Sequence, residues 1–125
     1  FADLKFWNPK NIKWEKIPAE DRPLVVVKKT PFSRERWTHV LFTFSDFNVE
    51  NKSGKSRLYL DGKLQGTLTR PQHFTWESKN AAIMIGLSYI GDMDDLAIFN
   101  RSLTTSQIQR LYKSKTGISA FHKQK

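Results

Sequence analysis

The stretch Ser56-Arg57-Leu58-Tyr59-Leu60-Asp61-Gly62-Lys63-Leu64-Gln65-Gly66-Thr67 constrains the fold more tightly than any other part of the chain. Asp-Gly supplies the positive φ angles of a two-residue type I′ turn, whose twist matches that of the strands flanking it. The stretch is therefore predicted to be a β-hairpin, with Leu58 and Leu60 facing inward.

Upstream, Thr38, Val40, Phe42 and Phe44 alternate with His39, Leu41, Thr43 and Ser45, the period of a strand, and both sets are largely apolar. Such a strand suits the inside of a two-layer sandwich, so it is expected to be central, with Phe42 in the core and a loss of about 3 to 5 kcal/mol on Phe42→Ala. Further strands are predicted at Leu24 to Val27, at Ala82 to Gly86 with Ile83 and Ile85 on one face, and at Met93 to Phe99 with Leu96 and Ile98 on one face. Residues 1–36 read as two or three strands interrupted by Pro18, Pro23 and Pro31, which cannot sit inside a ladder. One helix is announced by Thr104 as N-cap, Gln107 as capping-box partner and Leu103 with Ile108 as hydrophobic staple. Its stripe of Ile108, Leu111 and Tyr112 should dock on the sheet, and Gly117 marks its latest stop. The fold class is all-β: an antiparallel β-sandwich with one short C-terminal helix over residues 1–116, followed by a basic tail over 117–125.

At 125 residues, 38% hydrophobic and 13% aromatic, the chain suits one folded domain and not a disordered segment. No run approaches the roughly 18 apolar residues of a membrane span, so no membrane insertion is expected. Cysteine is absent, which removes disulfides and thiolate metal sites. The chain opens on Phe1 with neither an initiator Met nor a signal sequence, and is expected to be part of a larger protein with further domains. Twenty-one Lys and Arg against 12 Asp and Glu give a formal charge of +9, enough to attract polyanions at long range, although a solvated surface would account for it too.

Trp37-Thr38-His39-Val40, then Leu58-Tyr59-Leu60-Asp61-Gly62-Lys63, then Ile85-Gly86, then Gly91-Asp92-Met93-Asp94-Asp95-Leu96-Ala97-Ile98-Phe99-Asn100-Arg101-Ser102-Leu103 and the capped helix follow one another in a familiar order. From Trp37 to Tyr112 the chain resembles a laminin G-like domain of the concanavalin A-like lectin/glucanase superfamily. The resemblance implies a jelly roll, of which residues 1–36 are too short to supply every early strand. It also implies a secreted or cell-surface recognition module for a carbohydrate or protein partner. In domains similar to this one an acidic residue of the Gly-x-x-Asp-Asp strand sometimes helps to hold a structural calcium, which makes Asp94 the metal candidate. Asp94 shares a strand face with Leu96 and Ile98, so it is expected to point inward, compensated either by such an ion or by hydrogen bonds.

Catalysis is not expected. Polysaccharide-cleaving relatives of this fold use two Glu around a central Asp on one strand, a pattern missing here, and Asp94 and Asp95 would point to opposite faces. His39, His73 and His122 have no partners at triad or zinc spacing, and His39 is expected to make a satisfied hydrogen bond within the fold. Nucleic-acid binding has the charge in its favour, but no reader motif accompanies it. A sugar surface needs exposed rings to stack on pyranose faces, for which Trp76, Tyr89 and Tyr59 are the candidates, with edge packing as the alternative for each. For an acidic glycan or other polyanion, which the charge favours over a neutral sugar, Lys55, Arg57 and Lys63 around the hairpin are the candidates, with Lys52 nearby. The rival to a binding module is a structural accessory domain that packs on another domain of the same polypeptide and takes no free ligand.

Overall fold

The computed structural model describes residues 13–22, 24–46, 49–70 and 89–119. The strand predicted at Ala82 to Gly86 lies outside the described residues, as do Trp76, His73 and His122. Two short 3-10 turns, Trp14–Lys16 and Ala19–Asp21, precede a three-stranded antiparallel sheet. Its strands are β1 (Val40–Ser45), β2 (Gly54–Leu60) and β3 (Lys63–Arg70), in the order β1-β2-β3. The hairpin of β2 and β3 turns at Asp61 and Gly62, whose φ angles of 49° and 72° are both positive, as the Asp-Gly signal requires.

The helix α1 (Thr105–Lys113) begins where its capping signals place it. The Gln107 backbone N–H donates to Thr104 Oγ1 at 3.3 Å, and the Thr104 N–H donates to Gln107 Oε1 at 3.0 Å. Two N–H groups that the first turn would leave unpaired are thus satisfied, a gain of about 1 kcal/mol for the cap residue. The helix ends at Ser114, whose N–H donates to Leu111 O at 3.1 Å, before Gly117.

Register decides what each sheet face does. Leu41 pairs with Tyr59 on one face, while Val40 pairs with Leu60 and Phe42 with Leu58 on the other. The first face lies under the helix, in a core of Leu41, Tyr59, Leu103, Ile108 and Leu111 with Phe99 beside it. The second face is crossed by the segment at Val25. A Cβ on Gly66, which sits opposite Leu58, would lie 2.7 Å from Val25 Cγ1, so the glycine makes room for that approach. Arg70 ties the same N-terminal segment down by donating to the Asp21 carbonyl at 2.7 Å.

Three strand expectations are corrected. First, β2 is central among the described strands, not β1, and Phe42 is 57% exposed because the face that α1 covers carries Leu41 and Thr43. Second, Leu24 to Val27 joins no ladder: Val25 packs against the sheet face at Gly66, not along an edge. Third, Met93 to Phe99 forms no strand. Asp95 adopts a φ of 54°, and its N–H is captured by Asp94 Oδ1 at 2.8 Å, a local bond that competes with any ladder. Leu96 and Ile98 are left exposed, and Asp94 is exposed rather than inward.

Candidate functional site

The hairpin tip is held from three sides. Asp61 Oδ1 accepts the His39 backbone N–H at 3.0 Å, Asp61 Oδ2 accepts Arg36 Nη2 at 2.5 Å, and the Asp61 N–H donates to the His39 carbonyl at 2.9 Å. Arg36 Nε also donates to the Pro31 carbonyl at 3.1 Å, and Gln109 Nε2 of α1 donates to the Gly62 carbonyl. One turn thus joins the segment before β1, the hairpin and the helix. Its carboxylate is committed to that role: the Asp61 side chain is 16% exposed.

His39 departs from expectation. Its backbone is satisfied, but its ring Nδ1 is buried and makes no hydrogen bond, and the ring leans on Tyr112 at 6.0 Å between centroids. Burial pushes the imidazole below the usual histidine range, and the Asp61 carboxylate offsets part of this. In the unfolded chain the pKa returns to about 6.5, so as pH falls through that value the unfolded state takes up a proton that the folded state resists. Stability should therefore fall between about pH 7.5 and about pH 5.5, above the range where most carboxylates titrate. Urea unfolding at these two pH values should show a smaller drop in His39→Gln than in the parent. Equal drops would assign the slope to other groups.

The candidate residues do not converge. Tyr59 is 5% exposed and packs in the core beneath α1, because the register sets it opposite Leu41, so its ring cannot stack on a sugar. Tyr89 is 48% exposed, with its hydroxyl donating to the Asp92 carbonyl at 3.4 Å. Lys55 and Arg57 sit two residues apart on β2 and share a face, whereas Lys63 lies beside the turn, opposite Leu60, on the other face. Along β2, Lys55 is roughly 17 Å from that end of the ladder.

Among the described residues Asp94 has no partners that would hold calcium with it. One of its oxygens already accepts the Asp95 N–H, and among the described residues no group of three His, Cys, Asp or Glu side chains could hold a metal ion.

The sequence also left the surroundings of the two β2 cations unread. Lys55 pairs with Ser45 on β1 and Thr69 on β3, and Arg57 pairs with Thr43 and Thr67. The Asp-Gly turn sets this register, but a bulge shifts it between Leu58 and Tyr59. Counting back from the turn alone sets Arg57 opposite Gly66.

The described residues form one three-stranded antiparallel sheet with a helix closing one face and the hairpin tip tied to both, and the second layer of a β-sandwich is implied by the family and not by these elements. A family model described as the concanavalin A-like lectin/glucanases superfamily, Laminin_G_3, matches residues 3–109, and the chain belongs to that family. No curated protein matches the chain, and no solved structure does.

Proposed function

We propose that this domain is a non-catalytic recognition module, a jelly roll of the secreted or cell-surface kind, which binds acidic polysaccharide by electrostatic attraction. The observation that carries the reading is that all nine lysines among the described residues are exposed: Lys13, Lys16, Lys28, Lys29, Lys52, Lys55, Lys63, Lys113 and Lys115. A formal charge of +9 on a small domain, with every described lysine on the outside, raises the local concentration of a polyanion and speeds its encounter. Family membership supports a carbohydrate partner over a nucleic acid.

The test is affinity for dextran sulfate beside unsulfated dextran of equal length, at low and at physiological salt. Binding to the sulfated polymer should weaken at least tenfold between about 20 mM and about 150 mM salt, where the Debye length shortens to about 8 Å, and the neutral polymer should show no such slope. Equal affinity for the two polymers would remove the reading. A second reading, an accessory domain that packs on another part of its polypeptide, is favoured by the outward Val40 and Phe42 of β1, an apolar surface unusual for a strand facing water. It expects binding to neither polymer.

A further inference from the structure

We infer that the end of the first sheet face lying beyond the helix-covered core, centred on Lys55 and Arg57, is the surface that grips the acidic polysaccharide, an inference that rests on the reading of the domain as a polyanion binder. Two successive rungs on this face have the same plan. Ser45, Lys55 and Thr69 form one, and Thr43, Arg57 and Thr67 form the next, each a cation on β2 between hydroxyls on β1 and β3. Residues paired across antiparallel strands share a face, and so do residues two apart along a strand, so all six belong to one surface. The cations stand about 7 Å apart along β2, and the hydroxyls flank them at about 5 Å across the strands.

The boundaries of this surface are set by the fold. Toward the turn, the following rung is Leu41, Tyr59 and Leu64, where Leu41 and Tyr59 enter the core beneath α1. Away from the turn lies the loop in which Lys52 Nζ meets Asp46 Oδ1 at 3.6 Å, so that carboxylate is engaged by its own cation. No acidic side chain lies on either rung, and among the described residues neither Lys55 nor Arg57 forms an ion pair. Lys55, Thr67 and Thr69 are exposed, Arg57 and Ser45 are half-buried, and Thr43 is buried, so the cations rise from a polar floor. A half-buried arginine loses less freedom on binding than a fully extended one, and its fork matches sulfate or carboxylate oxygens.

The chemistry selects the occupant. Repeated anionic groups would meet Lys55 and Arg57, and sugar hydroxyls would exchange hydrogen bonds with Thr67, Thr69 and Ser45, each able to donate and accept. A single-stranded nucleic acid would need aromatic platforms for its bases, and neither rung carries an aromatic residue. Two successive cations, each flanked by hydroxyls, therefore fit a sulfated or uronic-acid polysaccharide.

The experiment compares two double variants of equal charge change. Lys55→Glu with Arg57→Glu alters this face, and Lys63→Glu with Lys113→Glu alters the turn and the end of the helix. Binding to dextran sulfate at about 150 mM salt should fall at least tenfold in the first and no more than about threefold in the second. The slope of log affinity against log salt should be shallower in the first by about one to two counterions. Lys55→Gln with Arg57→Gln, which repels nothing, should repeat the loss in milder form, and far-UV circular dichroism of each variant reports its fold.

Equal losses in the two Glu variants would overturn the face in favour of net charge alone, and retained affinity in the first would place the contact elsewhere. Tighter binding of a single-stranded oligonucleotide than of dextran sulfate would overturn the choice of occupant. No binding by the parent protein would overturn the polyanion reading itself, and this face with it.

Discussion

Replacing Ile108 with alanine should lower the free energy of unfolding by about 3 to 4 kcal/mol. Ile108 is 0% exposed, and it meets Leu41 and Tyr59 of the sheet together with Leu103 and Leu111 of its own segment. Truncation removes three carbons from the contact region that α1 shares with the core, and the cavity left behind has a sheet on one side that cannot collapse into it. A helix of nine residues has little stability of its own in water, so most of what keeps α1 folded is this docking. The loss should therefore be a large share of the 5 to 15 kcal/mol typical of a whole domain, reported by urea unfolding and by weakened near-UV signals. Phe42→Ala is the control, because its ring faces outward, and it should cost less than about 1 kcal/mol. If Phe42→Ala cost as much as Ile108→Ala, the assignment of faces on β1 would be reversed.

That pair of residues also shows what the sequence could say and what it could not. Period-two alternation from Val40 to Ser45 is enough to make a strand, but it does not say which face is covered when both are apolar. The phenylalanines were expected inside. The decision came instead from register, which sets Leu41 opposite Tyr59 beneath Ile108 and leaves Val40 and Phe42 outside. Such pairing depends on residues far apart in sequence. By contrast, the turn at Asp61 and Gly62 and the start of α1 were legible, because the turn depends on the backbone freedom of the Asp-Gly pair itself and the cap on side chains three residues from the backbone groups they satisfy.

The same contrast explains the candidate site. Lys55, Arg57 and Lys63 are neighbours on paper, yet a strand alternates its faces, so only the first two project together. Their hydroxyl neighbours follow from the register beyond the bulge, which no local pattern announced. Met93 to Phe99 misled for a local reason: alternation promised a strand, while the Asp94 carboxylate offered the Asp95 N–H a nearer partner. Adjacent aspartates before an alternating run are a signal that could have warned of this. With the strand lost, the inward orientation expected of Asp94 lost its basis as well.

Gly62→Val is expected to be nearly as damaging as Ile108→Ala, by a different route. Gly62 holds a φ of +72°, a region that costs an ordinary L-residue about 1 to 2 kcal/mol and a β-branched one more. The space is also closed: a Cβ there would stand 3.0 Å from Gln109 Nε2 and 3.0 Å from Tyr112 Cδ1, so the side chains that carry the helix onto the turn must move. Crowding of this kind costs a further 1 to 3 kcal/mol or so, for a total of about 2 to 5 kcal/mol. The two contributions can be separated. Gly62→Asn keeps a residue that tolerates the left-handed region, and its loss measures the crowding, while Gly62→Val in a Tyr112→Ala background should lose less than in the parent because the ring no longer obstructs the new Cβ. Thermal and urea unfolding of the parent, Gly62→Val, Gly62→Asn, Tyr112→Ala and the Gly62→Val, Tyr112→Ala double variant, with the Gln109→Ala variant as a check on the hydrogen bond to the Gly62 carbonyl, give the coupling directly. A loss below about 1 kcal/mol for Gly62→Val, or an equal loss with and without the Tyr112 ring, would mean that the turn and the helix are not in contact, and the link between hairpin and helix at this tip would have to be abandoned.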